Sequence, residues 1–136
     1  MRGCYVLLVN NPEDADIRTG GLGTIRFLKG QYVYVGSALN GIEARVRRHI
    51  GNRKKIHWHI DYLLRRGKCD EVYVLESDKR LECVLAERMA EKFYCVPNFG
   101  SSDCHCRGHL FHGDEKELIS HVLKNGMRRF ELPGKK

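Results

Sequence analysis

The chain has 136 residues, 42% hydrophobic and 30% charged, which suits one domain with one core and excludes a disordered chain. The longest apolar run near its start, Tyr5 to Val9, is too short to span a membrane and lacks the shape of a signal peptide, so a cytoplasmic protein is expected. The net charge is +7, and six basic residues with no acidic one fall between Arg45 and Lys55. That local field suits a polyanion such as nucleic acid, although a solvated basic face reads the same way.

The first predicted strand is Gly3 to Val9, apolar and rich in β-formers. Asn10 to Asp16 reads as a loop because it is polar and holds Pro12. Ile17 to Phe27, around Gly20-Gly21-Leu22-Gly23, reads as a short hairpin or irregular edge strands. Gln31 to Gly36 is the second strong strand. Leu39 to Ile50 then reads as a helix, with Leu39, Ile42, Val46 and Ile50 on one stripe, Asn40 or Ser37 as cap and Gly51 as stop. Trp58 to Arg66 is a shorter helix, and Asp70 to Glu76 a third strand. Ser77 is a fair cap for a helix reaching about Tyr94. Cys95 to His112 reads as a loop dense in Cys, His and Ser, followed by a helix over Glu115 to Lys124 and a basic tail. This order predicts one α+β domain: a small, mostly antiparallel sheet flanked by helices, with a core over about 3–94 and a Cys/His-rich loop and final helix over about 95–136.

Two triplets pair tyrosine with glycine, Gly3-Cys4-Tyr5 and Tyr34-Val35-Gly36. Neither is informative alone. The second leads at once into a helix carrying Arg45 and His49, four apart and so on one face, with Arg48 on the opposite side. Tyr32 and Tyr34 share a strand face, so either is a candidate inward tyrosine. On the third helix Glu82 falls among Leu81, Leu85, Ala86 and Met89, while Glu87 and Glu91 project away. A carboxylate facing a core needs a cation, a metal or a donor, and an ion pair to an arginine or a first-turn dipole contact serves equally.

With these residues in place the chain resembles the GIY-YIG nucleases, over roughly residues 3–93. More narrowly, it resembles an uncharacterised GIY-YIG-like subfamily, found alone or fused to base-excision DNA glycosylases. The shared segments there are His57 to Tyr62 and Phe99 to Cys106. The distance from Tyr5 to Tyr34 exceeds the family's usual short hairpin, so residues 10–30 are expected to be an insertion at the sheet edge. The resemblance implies a metal-dependent endonuclease that hydrolyses phosphodiester bonds, DNA before RNA, with a place in DNA repair and an association with a glycosylase. It implies catalytic roles for Tyr5, Tyr34, Arg45, His49 and Glu82. Glu82 would hold Mg²⁺ or Mn²⁺, and Arg45 would grip the phosphate. One tyrosine would orient or deprotonate water, and His49 would relay a proton or touch phosphate. Arg47, Arg48, Arg53, Lys54 and Lys55 are the candidate nucleic-acid contacts. The alternative is a catalytically silent nucleic-acid-binding module on the same fold.

Six cysteines in a cytosolic chain read as free thiols, metal ligands or small core residues before disulfides. Cys104, His105, Cys106, His109 and His112 fall within nine residues. Cys-x-Cys is tighter than the usual zinc pairing, so a compact loop with buried thiols is the first reading. A structural zinc held by Cys104, Cys106, His109 and His112 is the second, and a redox pair the third. Asp103 is a candidate support for the active site. His57, His59 and Asp61 are a minor candidate for a second metal site; His57 or His59 is expected to border the cleft instead, and Trp58 to fill core or stack on a base.

Overall fold

The central strand of the sheet is β1, Gly3–Asn11, and nearly every residue of it is buried. The computed structural model describes residues 1–51, 55–101 and 104–131. A strand covered on both faces must be apolar on both, which is why Cys4 to Val9 shows no polar alternation. β1 pairs antiparallel with β4, Gly30–Ala38, so that Tyr5 lies opposite Gly36 and Leu7 opposite Tyr34. On its other side β1 pairs with β5, Lys68–Glu76, with a register shift between Leu8 and Val9. Three short strands complete the sheet: β6 at Tyr94–Cys95, β7 at Leu110–Gly113 and β8 at Arg128–Phe130. The order is β6-β7-β4-β1-β5-β8, and each neighbouring pair is antiparallel.

The α+β class is as the element order predicted. The segment after residue 95 does more than expected, because β7 and β8 extend the sheet on its two sides. Asn10 and Asn11 continue β1 and Gly30 opens β4, so the segment between them, residues 12–29, holds the small hairpin of β2, Ala15–Arg18, and β3, Thr24–Phe27, joined through a 3₁₀ turn at Gly20–Leu22. It is a separate two-stranded sheet.

Side-chain alternation divides the core. Tyr5, Leu7, Val9, Tyr32 and Tyr34 pack with helix α1, Ile42–Ile50, through Ile42 and Val46. The same cluster includes helix α2, His59–Leu64, through Ile60 and Leu63, and Phe27 from β3. Cys4, Val6, Leu8, Val33 and Val35 pack on the other face with helix α3, Glu82–Ala90, and helix α4, Glu115–Lys124. Leu85, Ala86, Met89, Leu118 and Val122 supply that contact. Each fully buried Leu, Val or Met contributes about 1.5–3 kcal/mol, so two helical layers cover a sheet that would not survive bare.

Two helix starts differ from expectation. Neither Ser37 nor Asn40 caps α1; Gly41 precedes it with φ +146°, and the Ile42 N–H donates to Met1 O at 2.8 Å. Ser77 does accept a backbone N–H, from Lys79 at 3.0 Å, but this closes a local turn. α3 begins only at Glu82, where the apolar stripe starts, and it ends at Ala90 rather than near Tyr94, which belongs to β6.

Candidate functional site: a polar cleft beside a thiol–imidazole cluster

The site is built where β1 and β4 meet the start of α1. Tyr5 and Tyr34 lie on the same sheet face, with ring centroids 6.5 Å apart. Space for the Tyr5 ring exists because residue 36 has no side chain: a Cβ there would come within 2.3 Å of the ring. α1 brings His49 over the pair, fully buried, with its Nε2 2.7 Å from the Tyr5 hydroxyl. A buried hydroxyl left without a partner costs about 1–3 kcal/mol, and this contact offsets that cost. His49 Nδ1 faces Asp61 Oδ1 at 3.9 Å. With its proton on that side, the ring offers Nε2 as acceptor to Tyr5.

Asp61 is fully buried and ionised, and its partners explain how. Arg48 forks onto both carboxylate oxygens at 3.2 and 3.1 Å. The backbone N–H groups of His57 and Trp58 donate to Oδ2 at 2.9 and 3.0 Å. Burial alone would raise the Asp61 pKa; the Arg48 guanidinium and the two N–H donors outweigh it and hold the carboxyl below its ordinary range.

Arg45, three residues before Arg48 and so beside it on α1 rather than on an opposite side, is fixed by its Nη1 donating to Ser37 O at 3.0 Å and by the Trp58 ring, whose centroid lies 4.7 Å from its Cζ. Arg48 sits 4.3 Å from the same ring. Trp58 is thus a platform that holds two guanidiniums. Tyr5, Tyr34, Arg45, Trp58, Glu82 and His109 line one open cleft of about 470 Å³. Burial pushes both tyrosine pKa values up, and the nearby Arg45 charge only partly opposes this. In the substrate-free cleft Tyr5 and Tyr34 are therefore protonated at neutral pH.

Glu82 is the first residue of α3 and one-quarter exposed, so it stands at the cleft edge rather than in mid-core. Its Oε2 lies 2.9 Å from His109 Nδ1. His109 is buried; that burial alone would depress its pKa, but the hydrogen bond and charge of Glu82, with Cys104, outweigh it and raise it. Behind His109 lies the cluster of Cys83 Sγ, Cys104 Sγ, Cys106 Sγ and a His109 ring nitrogen, all within 4.8 Å of one another. Two thiolates on a tetrahedral zinc, each about 2.3 Å away, sit about 3.8 Å apart, so small rotamer adjustments close this set around one ion. Burial raises the Cys83 and Cys106 thiols. At Cys104 burial is opposed by hydrogen bonds from Cys106 and Cys83 and by His109, and its pKa is lowered. The four residues could hold a metal ion.

The structure therefore brings Tyr5, Tyr34, Arg45 and Glu82 to one cleft, with His49 buried behind Tyr5. It corrects the proposed zinc set: Cys104, Cys106 and His109 converge, but His112 sits in β7, stacked on Tyr32 with centroids 4.5 Å apart. The fourth member of the cluster is Cys83, which spacing did not reveal because α3 delivers it from some twenty residues upstream. Tyr32 lies away from the cleft, its hydroxyl donating to Leu28 O at 2.8 Å. Of the basic run, Arg47 and Lys55 are exposed, Arg48 is committed to Asp61, and Arg53 and Lys54 lie outside the described residues, as does Asp103. His59 accepts from the Gly100 N–H at 2.8 Å and is held neutral by burial. Cys4, Cys69 and Cys95 are buried core thiols, and no disulfide joins any of the six cysteines.

The fold and site define an α+β protein with a candidate metal centre beside a polar, cation-bearing cleft. The chain belongs to the DUF123 family, a domain of unknown function, whose model matches residues 4–132. No curated protein and no solved structure matches it. Among the described residues no helix is long and apolar enough to cross a membrane.

Proposed function

We propose that the chain is a GIY-YIG-type endonuclease that hydrolyses phosphodiester bonds in nucleic acid, DNA before RNA, in the cleft between Tyr5 and Glu82. The observation that carries this reading is the convergence of two tyrosines, a fixed arginine and one part-exposed carboxylate on a single cleft, from four different elements. Arg45 offers a planar fork to two phosphate oxygens, and its Ser37 and Trp58 contacts hold that fork before substrate arrives. Tyr5 positions the attacking water by hydrogen bonding, and His49 behind it can accept the proton that Tyr5 passes on. Glu82 is the residue that would hold Mg²⁺ or Mn²⁺. A single carboxylate at an open polar edge suits an ion that keeps most of its waters, and such an ion neutralises phosphate charge and acidifies water.

The test is cleavage of labelled DNA and RNA with Mg²⁺ or Mn²⁺. Wild type should cut in a metal-dependent way, and Glu82→Gln should stay folded, bind nucleic acid and lose two or more decades of rate. Binding without cleavage by wild type would make the chain a silent nucleic-acid module. A place in DNA repair beside a glycosylase is part of this same reading and predicts a preference for a lesion or its repair product.

The second metal centre reads best as structural zinc, since three thiols and an imidazole favour a borderline-soft ion over Mg²⁺. Elemental analysis of purified protein should give close to one zinc per chain, with Cys104→Ser and Cys83→Ser each losing it. Folded, metal-free wild type would rule zinc out.

A further inference from the structure

The His109 ring joins the thiol cluster to the cleft. Its Nδ1 lies 2.9 Å from Glu82 Oε2 and 3.1 Å from Val35 O. Both are acceptors, so Nδ1 carries the proton of the neutral ring. The Nε2 lone pair then faces the thiols, 3.4 Å from Cys104 Sγ. A metal ion ligated through Nε2 needs that tautomer, and a carboxylate on the opposite nitrogen is the usual partner of a metal-bound imidazole. Glu82 and Cys83 are also neighbours at the first turn of α3, so an ion gripping Cys83 fixes the backbone that carries Glu82.

We propose that the ion held by Cys83, Cys104, Cys106 and His109 sets the direction of the Glu82 carboxylate, so that loading of this centre governs cation binding in the cleft. Glu82 is then a positioning residue for the thiol–imidazole centre. One carboxylate oxygen accepts from His109, leaving the other for a cleft cation. An empty centre frees His109 and Cys83 and loosens that aim. Only the second half, cation binding in the cleft, rests on the nuclease reading.

The experiment has two arms. In the first, zinc affinity is measured by chelator competition and the centre is loaded with Co²⁺ as a spectroscopic reporter. Glu82→Gln should lose at least tenfold in zinc affinity, within the 10–100-fold range for outer partners of a ligand histidine, and should shift the Co²⁺ ligand-field spectrum. Glu87→Gln, exposed on the same helix, should do neither, and Glu82→Asp should recover part of the affinity. An unchanged affinity and spectrum in Glu82→Gln overturns the coupling. Both measurements use folded, loaded protein. In the second arm, Mn²⁺ binding is followed by electron paramagnetic resonance on zinc-loaded and zinc-depleted protein. Binding should weaken at least tenfold on depletion. Equal binding in both overturns control of the cleft. A positive first arm with no Mn²⁺ binding by wild type keeps the Glu82–His109 coupling and removes the nuclease reading instead.

Discussion

Tyr5 and Gly36 face each other across β1 and β4, and the ring of the first occupies the space where the second would carry a side chain: a Cβ on residue 36 would lie 2.3 Å from the Tyr5 Cζ. Gly36→Ala should therefore push Tyr5 off His49 and destabilise the fold by about 1–3 kcal/mol, the range for overpacking a core. Gly21→Ala is the control, since nothing lies within 4 Å of its Cβ. Denaturant unfolding of both variants checks this; an unaffected Gly36→Ala would mean that Tyr5 can move at little cost.

On the nuclease reading proposed above, Arg45→Lys should be poor at cleavage while leaving nucleic-acid binding nearly intact. An ammonium lacks the fork that grips Ser37 O while facing phosphate, and it does not lie flat on Trp58. The loss should approach two decades in rate, the order for removing one aimed donor from a transition state. Single-turnover kinetics under saturating protein separates this from weaker binding. A lysine variant as fast as wild type would show that only charge is used.

Asp61 links stability to acid. Its folded pKa lies below the unfolded value, near 3.9 for a free aspartate. Its contribution is therefore fully present above the unfolded value and is lost as pH falls through the folded one. Asp61→Asn should cost about 3 kcal/mol at neutral pH, the low end for breaking a buried pair, because Arg48 is partly exposed and can rehydrate. The variant should also show a flatter decline in stability below pH 4, read from unfolding curves at stepped pH. Equal slopes for variant and wild type would move the acid sensitivity to another carboxylate.

On the same proposed reading, the basic run should set the ionic part of nucleic-acid affinity. Arg47 and Lys55 are its exposed members among the described residues. Reversing both to Glu should weaken binding at every sequence and reduce the slope of log affinity against log salt by about one for each phosphate no longer neutralised. Arg48→Glu should instead unfold the α2 end, because Arg48 holds Asp61. An unchanged salt slope in the double variant places the footprint elsewhere.

Much of this architecture could be read locally. β1 and β4 were legible because apolar, β-branched and aromatic residues run between glycines, and α4 matched its expected range, Glu115–Lys124, where the Asp114 side chain accepts the Glu117 N–H at the helix start. β7 and β8 were not legible. At four and three residues they are too short for a period to show, and they are strands only because β4 and β5 offer unpaired edges. Ser77 misled for a related reason: it makes a cap-like bond in a turn that closes before α3 begins at Glu82.

The sequence by itself determined the α+β class, the alternation that puts Tyr32 and Tyr34 on one face, and the helical spacing that gives Arg45 and His49 to the same flank. These depend on periods of two and 3.6 residues, which a chain carries without reference to its distant parts. Only the tertiary structure decided that Cys83 rather than His112 completes the thiol–imidazole cluster, that Asp61 takes Arg48 out of the basic run, and that His109 meets Glu82. Each of these joins residues from different elements. Their approach is set by how α1, α2 and α3 lie on the sheet, and burial then makes an unpaired charge or donor too costly to leave.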